Sequence, residues 1–93
     1  MIQSFKDKRT KRIFRGEHER RISTEIARCA RMRLQRVDAA ATVNDLRVPP
    51  SHRLEKLTGD RAGQWSIRIN NQYRVCFEFR GGDAYDVEIT DYH

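Results

Sequence analysis

Neutral-pH chemistry on this 93-residue chain has few side chains to draw on. The histidines are His18, His52 and His93, and the cysteines are Cys29 and Cys76. Two arginines, Arg68 and Arg74, flank a short polar loop, and the sequence closes on Thr90-Asp91-Tyr92-His93. A histidine holds or releases a proton near neutrality; an arginine stays charged and serves as an electrostatic stabiliser. His18 sits between Glu17 and Glu19 and reads as a surface residue, whereas His52 follows the Pro49-Pro50 bend. No Gly-x-x-x-x-Gly-Lys, Gly-x-Gly-x-x-Gly or Gly-x-Ser-x-Gly occurs, and Ser66 has no histidine near it in sequence. The cysteines lie 47 positions apart without a Cys-x-x-Cys spacing and read as reduced thiols; no paired metal-ligand spacing is present. What these residues suit is acid–base work at a phosphate with neither metal nor cofactor. RNA brings its own nucleophile, the 2′-hydroxyl, so a protein has to position it, take its proton, neutralise the phosphorane charge and protonate the leaving oxygen.

The last thirty residues have to place those groups. Trp65, Ile67 and Ile69, then Tyr73, Val75, Phe77 and Phe79, then Tyr85, Val87 and Ile89 alternate with polar residues, the period of three half-buried strands in a meander. With Asn70-Asn71-Gln72 as a hairpin loop, Ile69 faces Tyr73 and Arg68 faces Arg74. With Gly81-Gly82-Asp83 and a flanking residue as the second loop, Phe79 faces Tyr85 and Arg74 faces Thr90. Arg68, Arg74 and Thr90 then form one row of the polar face, with Asn70, Gln72 and Tyr92 in the row beside it. Neighbouring guanidiniums repel, and an anion such as phosphate would resolve the conflict. Strict alternation puts Asp91 and His93 on the Ile89 face, where a twist or bulge at the strand end is needed to re-aim them.

The preceding residues supply a helical layer. Asp7 to Arg15 forms a short helix anchored by Ile13 and Phe14 and stopped at Gly16. Ser23 caps a second helix, with Glu25 in its first turn. Its apolar stripe of Ile22, Ile26, Cys29, Ala30, Leu34 and Val37 faces the sheet, and Arg28, Arg31, Arg33 and Arg36 project elsewhere. Ile2 to Phe5 reads as a short added strand, and Ala39 to Val43 with Leu46 as a loose turn. Pro49-Pro50 leads from the helical half to the sheet half, keeping Val48 extended. Residues 53 to 57 read as a further strand and residues 58 to 63 as a glycine-bounded loop. The expected architecture is α+β over one domain, residues 1–93: two N-terminal helices on a mainly antiparallel twisted sheet.

The formal charge of +6 points to an acidic partner, and its distribution sharpens this. Met1 to Arg33 carries 11 basic against 4 acidic residues, whereas Ser51 to His93 carries 6 against 7. The positive N-terminal third would steer the domain toward nucleic acid or an acidic protein. The N-terminus has no apolar leader segment, and no stretch approaches the length of a membrane span, so a cytoplasmic protein without membrane contact is expected.

The runs Asp45-Leu46-Arg47-Val48-Pro49-Pro50, Ser51-His52-Arg53-Leu54, Gly59-Asp60-Arg61-Ala62-Gly63-Gln64-Trp65-Ser66-Ile67-Arg68-Ile69-Asn70 and Tyr85-Asp86-Val87-Glu88-Ile89-Thr90-Asp91-Tyr92-His93 closely resemble HigB toxins of the RelE/ParE superfamily. The resemblance spans essentially the whole chain. It implies a RelE-like α+β fold and a ribosome-dependent mRNA endonuclease that inhibits translation. It also implies a HigA-like helix-turn-helix antitoxin as partner, with operator DNA met only through that complex. Carried over by position, the active-site set is His52, Arg74, Asp91, Tyr92 and His93, with Lys56, Arg68 and Asn70 near the RNA phosphate. Tyr92, whose unperturbed pKa is near 10, suits stacking on a base or orienting the substrate. Many relatives have Asn-Asp-Gln-Trp-Arg where this chain has Asn70-Asn71-Gln72-Tyr73-Arg74, a departure confined to a turn and a core aromatic. Two other readings share the fold or the charge: a ParE-like inhibitor of DNA gyrase, and a non-catalytic basic module acting as co-repressor with its antitoxin.

Overall fold

The computed structural model describes residues 1–91. Two helices pack on one face of a four-stranded antiparallel sheet. Helix α1, Lys8–Phe14, begins where the Asp7 carboxylate accepts the Thr10 N–H at 2.7 Å. It ends in a Schellman arrangement: Gly16 at φ 79° lets its own N–H reach Ile13 O and the Glu17 N–H reach Arg12 O. Helix α2, Thr24–Ala39, starts at Ser23, whose Oγ accepts the Ile26 N–H. Its expected stripe meets the sheet: Ala30, Leu34 and Val37 are fully buried, and Cys29 Sγ donates to Ile69 O at 3.4 Å. Neither cysteine is in a disulfide.

After α2 the chain makes two short 3₁₀ turns, Val43–Arg47 and Pro50–His52. The first is pinned by Asp45, whose carboxylate accepts the Thr42 and Ala41 N–H groups; these bonds hold its pKa below the usual carboxylate range. Strand β1 is Glu55–Lys56, β2 Trp65–Arg68, β3 Tyr73–Arg80 and β4 Asp83–Asp91, in spatial order β1-β2-β3-β4. The strand expected over 53 to 57 is shorter, and Arg53 stands outside it in a left-handed conformation, φ 45°. A third 3₁₀ turn, Gly59–Arg61, lies in the β1–β2 connection. Among the described residues no helix is long and apolar enough to cross a membrane.

The first hairpin has the expected register, Arg68 opposite Arg74, and Arg74 is also opposite Thr90. The second hairpin differs. Gly81 and Gly82, both at positive φ, close a two-residue loop, so Arg80 pairs Asp83 and Phe79 pairs Ala84 rather than Tyr85. A bulge then absorbs one residue at Asp86, φ 52°, and restores Cys76 opposite Glu88. Ala84 takes the core place expected for Tyr85. Tyr85 instead pairs Glu78 and lies under the Arg80 guanidinium, 3.9 Å from its ring centroid.

The second sheet face is also not the solvated one that alternation suggests. Ser66, Arg74 and Cys76 are buried on it. Arg61, from the β1–β2 connection, crosses β2 and β3 to donate to Glu88 Oε1 of β4 at 2.7 Å. The connection thus covers part of that face.

The outer edge of β4 is closed by the N-terminus. Ile2 and Phe5 form parallel bridges to Ala84 and Val87, as the short added strand requires. Beyond Val87 the first turn of α1 takes over. Arg9 donates to Ile89 O, and the buried Thr10 Oγ1 accepts the Ile89 N–H, both at 3.0 Å. Thr10→Val keeps the shape but leaves that buried N–H unpaired, so urea denaturation should show a loss of about 1–3 kcal/mol, largely recovered by Thr10→Ser. Equal stability of Thr10→Val and wild type would contradict this closure of the edge.

Candidate active site

Core residues Ile67, Val75 and Ile89 face the helices, so alternation puts Ser66, Arg68, Arg74 and Thr90 on the other face. Arg74 is the centre of this group and is only 9% exposed. Its Nε donates to Ser66 Oγ at 2.8 Å, and its Nη2 donates to Arg53 O at 2.6 Å and Ser66 O at 3.4 Å. Its Nη1 lies 4.0 Å from the exposed Glu55 carboxylate. Thr90, directly opposite, has a buried Oγ1 without a partner among the described residues.

Arg68 turns the other way, toward the hairpin loop, where Nη2 donates to Asn71 Oδ1. The expected repulsion between the two guanidiniums is therefore relieved within the chain by divergent side chains, and no anion is needed to explain their pairing. Asn70 builds the same loop: its Oδ1 accepts the Gln72 and Tyr73 N–H groups at 2.9 and 2.7 Å. Gln72 in turn donates to Asp91 Oδ2 at 3.1 Å, tying the loop to the end of β4. Arg68, Asn70 and Asp91 are thus gathered at the hairpin-loop end of the sheet, and the Arg74 guanidinium is directed away from it, toward Ser66 and Arg53.

Lys56 and His52 stand apart from that group. Lys56 pairs Trp65, which alternation places on the helical face, and its Nζ lies 5.9 Å from the indole centroid. The lysine is exposed on the edge strand, on the face opposite Arg74. The His52 ring is fully buried. Its Nδ1 is 3.2 Å from Leu46 O, which can only accept, so Nδ1 carries the hydrogen and Nε2 is bare, with no partner among the described residues. Burial lowers the His52 pKa; the Leu46 carbonyl opposes this, and the charges of Arg33 and Arg36 reinforce it. The imidazole is neutral at pH 7. Its segment reaches Arg74 through the carbonyl of the next residue, Arg53. Tyr92 and His93 lie outside the described residues.

Sequence reasoning passed over Ser66, Arg53 and Glu55. For Ser66 and Glu55 a signal existed. Once Arg68 faces Arg74, Ser66 becomes the diagonal neighbour of Arg74, within reach of a long side chain, and Glu55 pairs Ser66. For Arg53 no residue type announced the left-handed backbone.

The layered arrangement is shared with a chain of the YoeB–YefM complex from Staphylococcus aureus, which superposes with a TM-score of 0.64 at 15% identity, covering 100% of this chain and 98% of that one. The sequence settles the family. Residues 3–93 match the HigB-like toxin family, described as RelE-like toxin of type II toxin-antitoxin system HigB, and the chain belongs to it. It is 36% identical to Endoribonuclease HigB of Proteus vulgaris over 93 residues, the full length of both. It is 38% identical to Toxin HigB-1 of Vibrio cholerae over 85 residues, 90% of each. The family and the fold expected from the sequence are both borne out.

The buried neutral His52 has a consequence for stability. Its folded pKa lies below the unfolded value near 6.5, so its contribution is present above that pH and is lost as pH falls through the folded pKa. Thermal midpoints between pH 7.5 and 5 should fall more steeply for wild type than for His52→Gln, whose amide can still donate to Leu46 O. Parallel profiles would contradict the buried neutral imidazole.

Proposed function

We propose that this toxin inhibits translation by cutting mRNA held on the ribosome, through attack of a 2′-hydroxyl on the adjacent phosphate without a metal ion. The endoribonuclease class follows from family membership and from the full-length similarity to Endoribonuclease HigB. The observation that carries the mechanism is Arg74, a permanent cation held by hydrogen bonds to Ser66 and to Arg53 O, on β3 directly opposite Thr90, the residue before Asp91 at the end of β4. A fixed guanidinium stabilises charge that develops on phosphorus without reorganising during the reaction.

In this reading the 2′-oxygen forms a bond to phosphorus as its proton leaves to a base, and the P–O5′ bond breaks as an acid protonates O5′. The products are a 2′,3′-cyclic phosphate and a 5′-hydroxyl. His52 and His93 are the proton-transfer groups. His52 is already in the neutral acceptor state, with its Nε2 unpartnered among the described residues, and its role requires the segment around it to open to RNA. Asp91 orients the end of β4 from its bond with Gln72, and Tyr92 stacks on a base. Arg68, Asn70 and Lys56 serve the RNA backbone, Lys56 from the opposite face of the edge strand.

The partner that restrains a toxin of a type II system is its antitoxin. We infer a HigA-like helix-turn-helix protein, through which the toxin meets operator DNA, and the cytoplasm, where ribosomes and mRNA are, as the place of action. The basic N-terminal third supports an acidic partner surface, whether ribosomal RNA or antitoxin.

On programmed ribosomes, wild type should cut the message in the A site. Arg74→Ala should lower the single-turnover rate about 10²–10³-fold, and His93→Ala about 10²–10⁴-fold. Intact message with folded wild-type protein would overturn the reading. So would cleavage by Arg74→Ala at the wild-type rate.

A further inference from the structure

We propose that Ser66 is the positioning residue for Arg74. This rests on the proposed role of Arg74 and extends it to a residue that does not itself touch RNA. Ser66 is completely buried, and its Oγ accepts the Arg74 Nε–H at 2.8 Å while its carbonyl accepts from Nη2 at 3.4 Å. An arginine has several rotatable bonds before its planar fork, and a hydrogen bond at Nε fixes the last of them and so the plane of the guanidinium. The register makes this possible. With Arg68 opposite Arg74, Ser66 lies two residues along β2, the diagonal position that a long side chain of β3 can span.

The second anchor explains why the fork does not pivot about that bond. Arg53 O accepts from Nη2 at 2.6 Å, and it is aimed there by a left-handed backbone that a non-glycine residue adopts only at an energetic cost. Nε and Nη2 lie along one edge of the fork. Ser66 and Arg53 O together hold that edge, and Nη1 lies 4.0 Å from the Glu55 carboxylate. A hydroxyl is required at position 66 because the site is closed to water. Alanine there leaves the Nε–H of a buried cation without its acceptor.

Position 66 then acts on the chemical step rather than on RNA binding. A misplacement of about 1 Å in a charge-stabilising group costs on the order of 10²-fold in rate. Single-turnover cleavage on programmed ribosomes separates the rate at saturation from the half-saturating toxin concentration. Ser66→Ala and Ser66→Cys should lower the saturating rate about 10- to 100-fold with the half-saturating concentration little changed, and Ser66→Thr, which keeps the hydroxyl, should restore most of the rate. Thermal midpoints of all three report folding. If either Ser66→Ala or Ser66→Cys is folded and cuts at the wild-type rate while Arg74→Ala does not cut, the positioning role is wrong and the role of Arg74 stands. A rise in half-saturating concentration without loss of rate would also overturn it. Wild-type cutting by Arg74→Ala would instead remove the reading on which the proposal depends.

Discussion

A guanidinium withdrawn from water has to find acceptors for its N–H groups, and around Arg74 that requirement organises the sheet. A buried charge without partners costs several kcal/mol; here β2 contributes a hydroxyl and a carbonyl, and the segment before β1 contributes another carbonyl. One side chain of β3 thereby ties together two other segments. Because those acceptors belong to paired strands and to a fixed turn, the fold itself sets the position of the cation, which in the proposed mechanism places it before substrate arrives. Such preorganisation is the form of charge stabilisation that costs least during reaction.

The rest of the fold keeps that end of the sheet in place. One edge is closed by the N-terminal bridges and by Thr10 and Arg9 of α1, which replace a strand alongside Ile89, the residue before Thr90. The Asn70 turn and its Gln72–Asp91 bond join the first hairpin loop to the end of β4. The edge left over is the two-residue β1, short and carrying Lys56, a form that discourages pairing with a stray strand. The helical layer supplies apolar support through Ala30, Leu34 and Val37 and carries most of the excess positive charge on its outside.

Local signals in the sequence carried much of this. The Ser23 cap, the Gly16 stop, the α2 stripe and the Arg68–Arg74–Thr90 row follow from periodicity and turn chemistry, and the structure has each of them. Long-range and irregular features were not legible. Gly81-Gly82 alone closes the second hairpin, and the compensating bulge at Asp86 moves Tyr85 out of the core, a shift that a period-2 pattern cannot register. Arg61 crossing to Glu88 covers a face that alternation marks as solvated. The burial of His52 depends on how the turns after α2 fold back, and nothing in the Pro49-Pro50 bend announces it. The arginines do sit opposite each other as the register requires, but their side chains diverge, so their proximity gives no reason to expect an anion between them.

The proposed mechanism requires the RNA 2′-hydroxyl to be the nucleophile at a phosphate held by Arg74. The most direct measurement places a single 2′-deoxynucleotide immediately 5′ of the scissile phosphate in a ribosome-bound message and compares it with the all-ribose message, with the termini of the products determined. The account predicts that the all-ribose message yields a 2′,3′-cyclic phosphate and a 5′-hydroxyl and that the deoxy message stays intact at that position. Cutting of the deoxy message at the same phosphate and at a similar rate would contradict it.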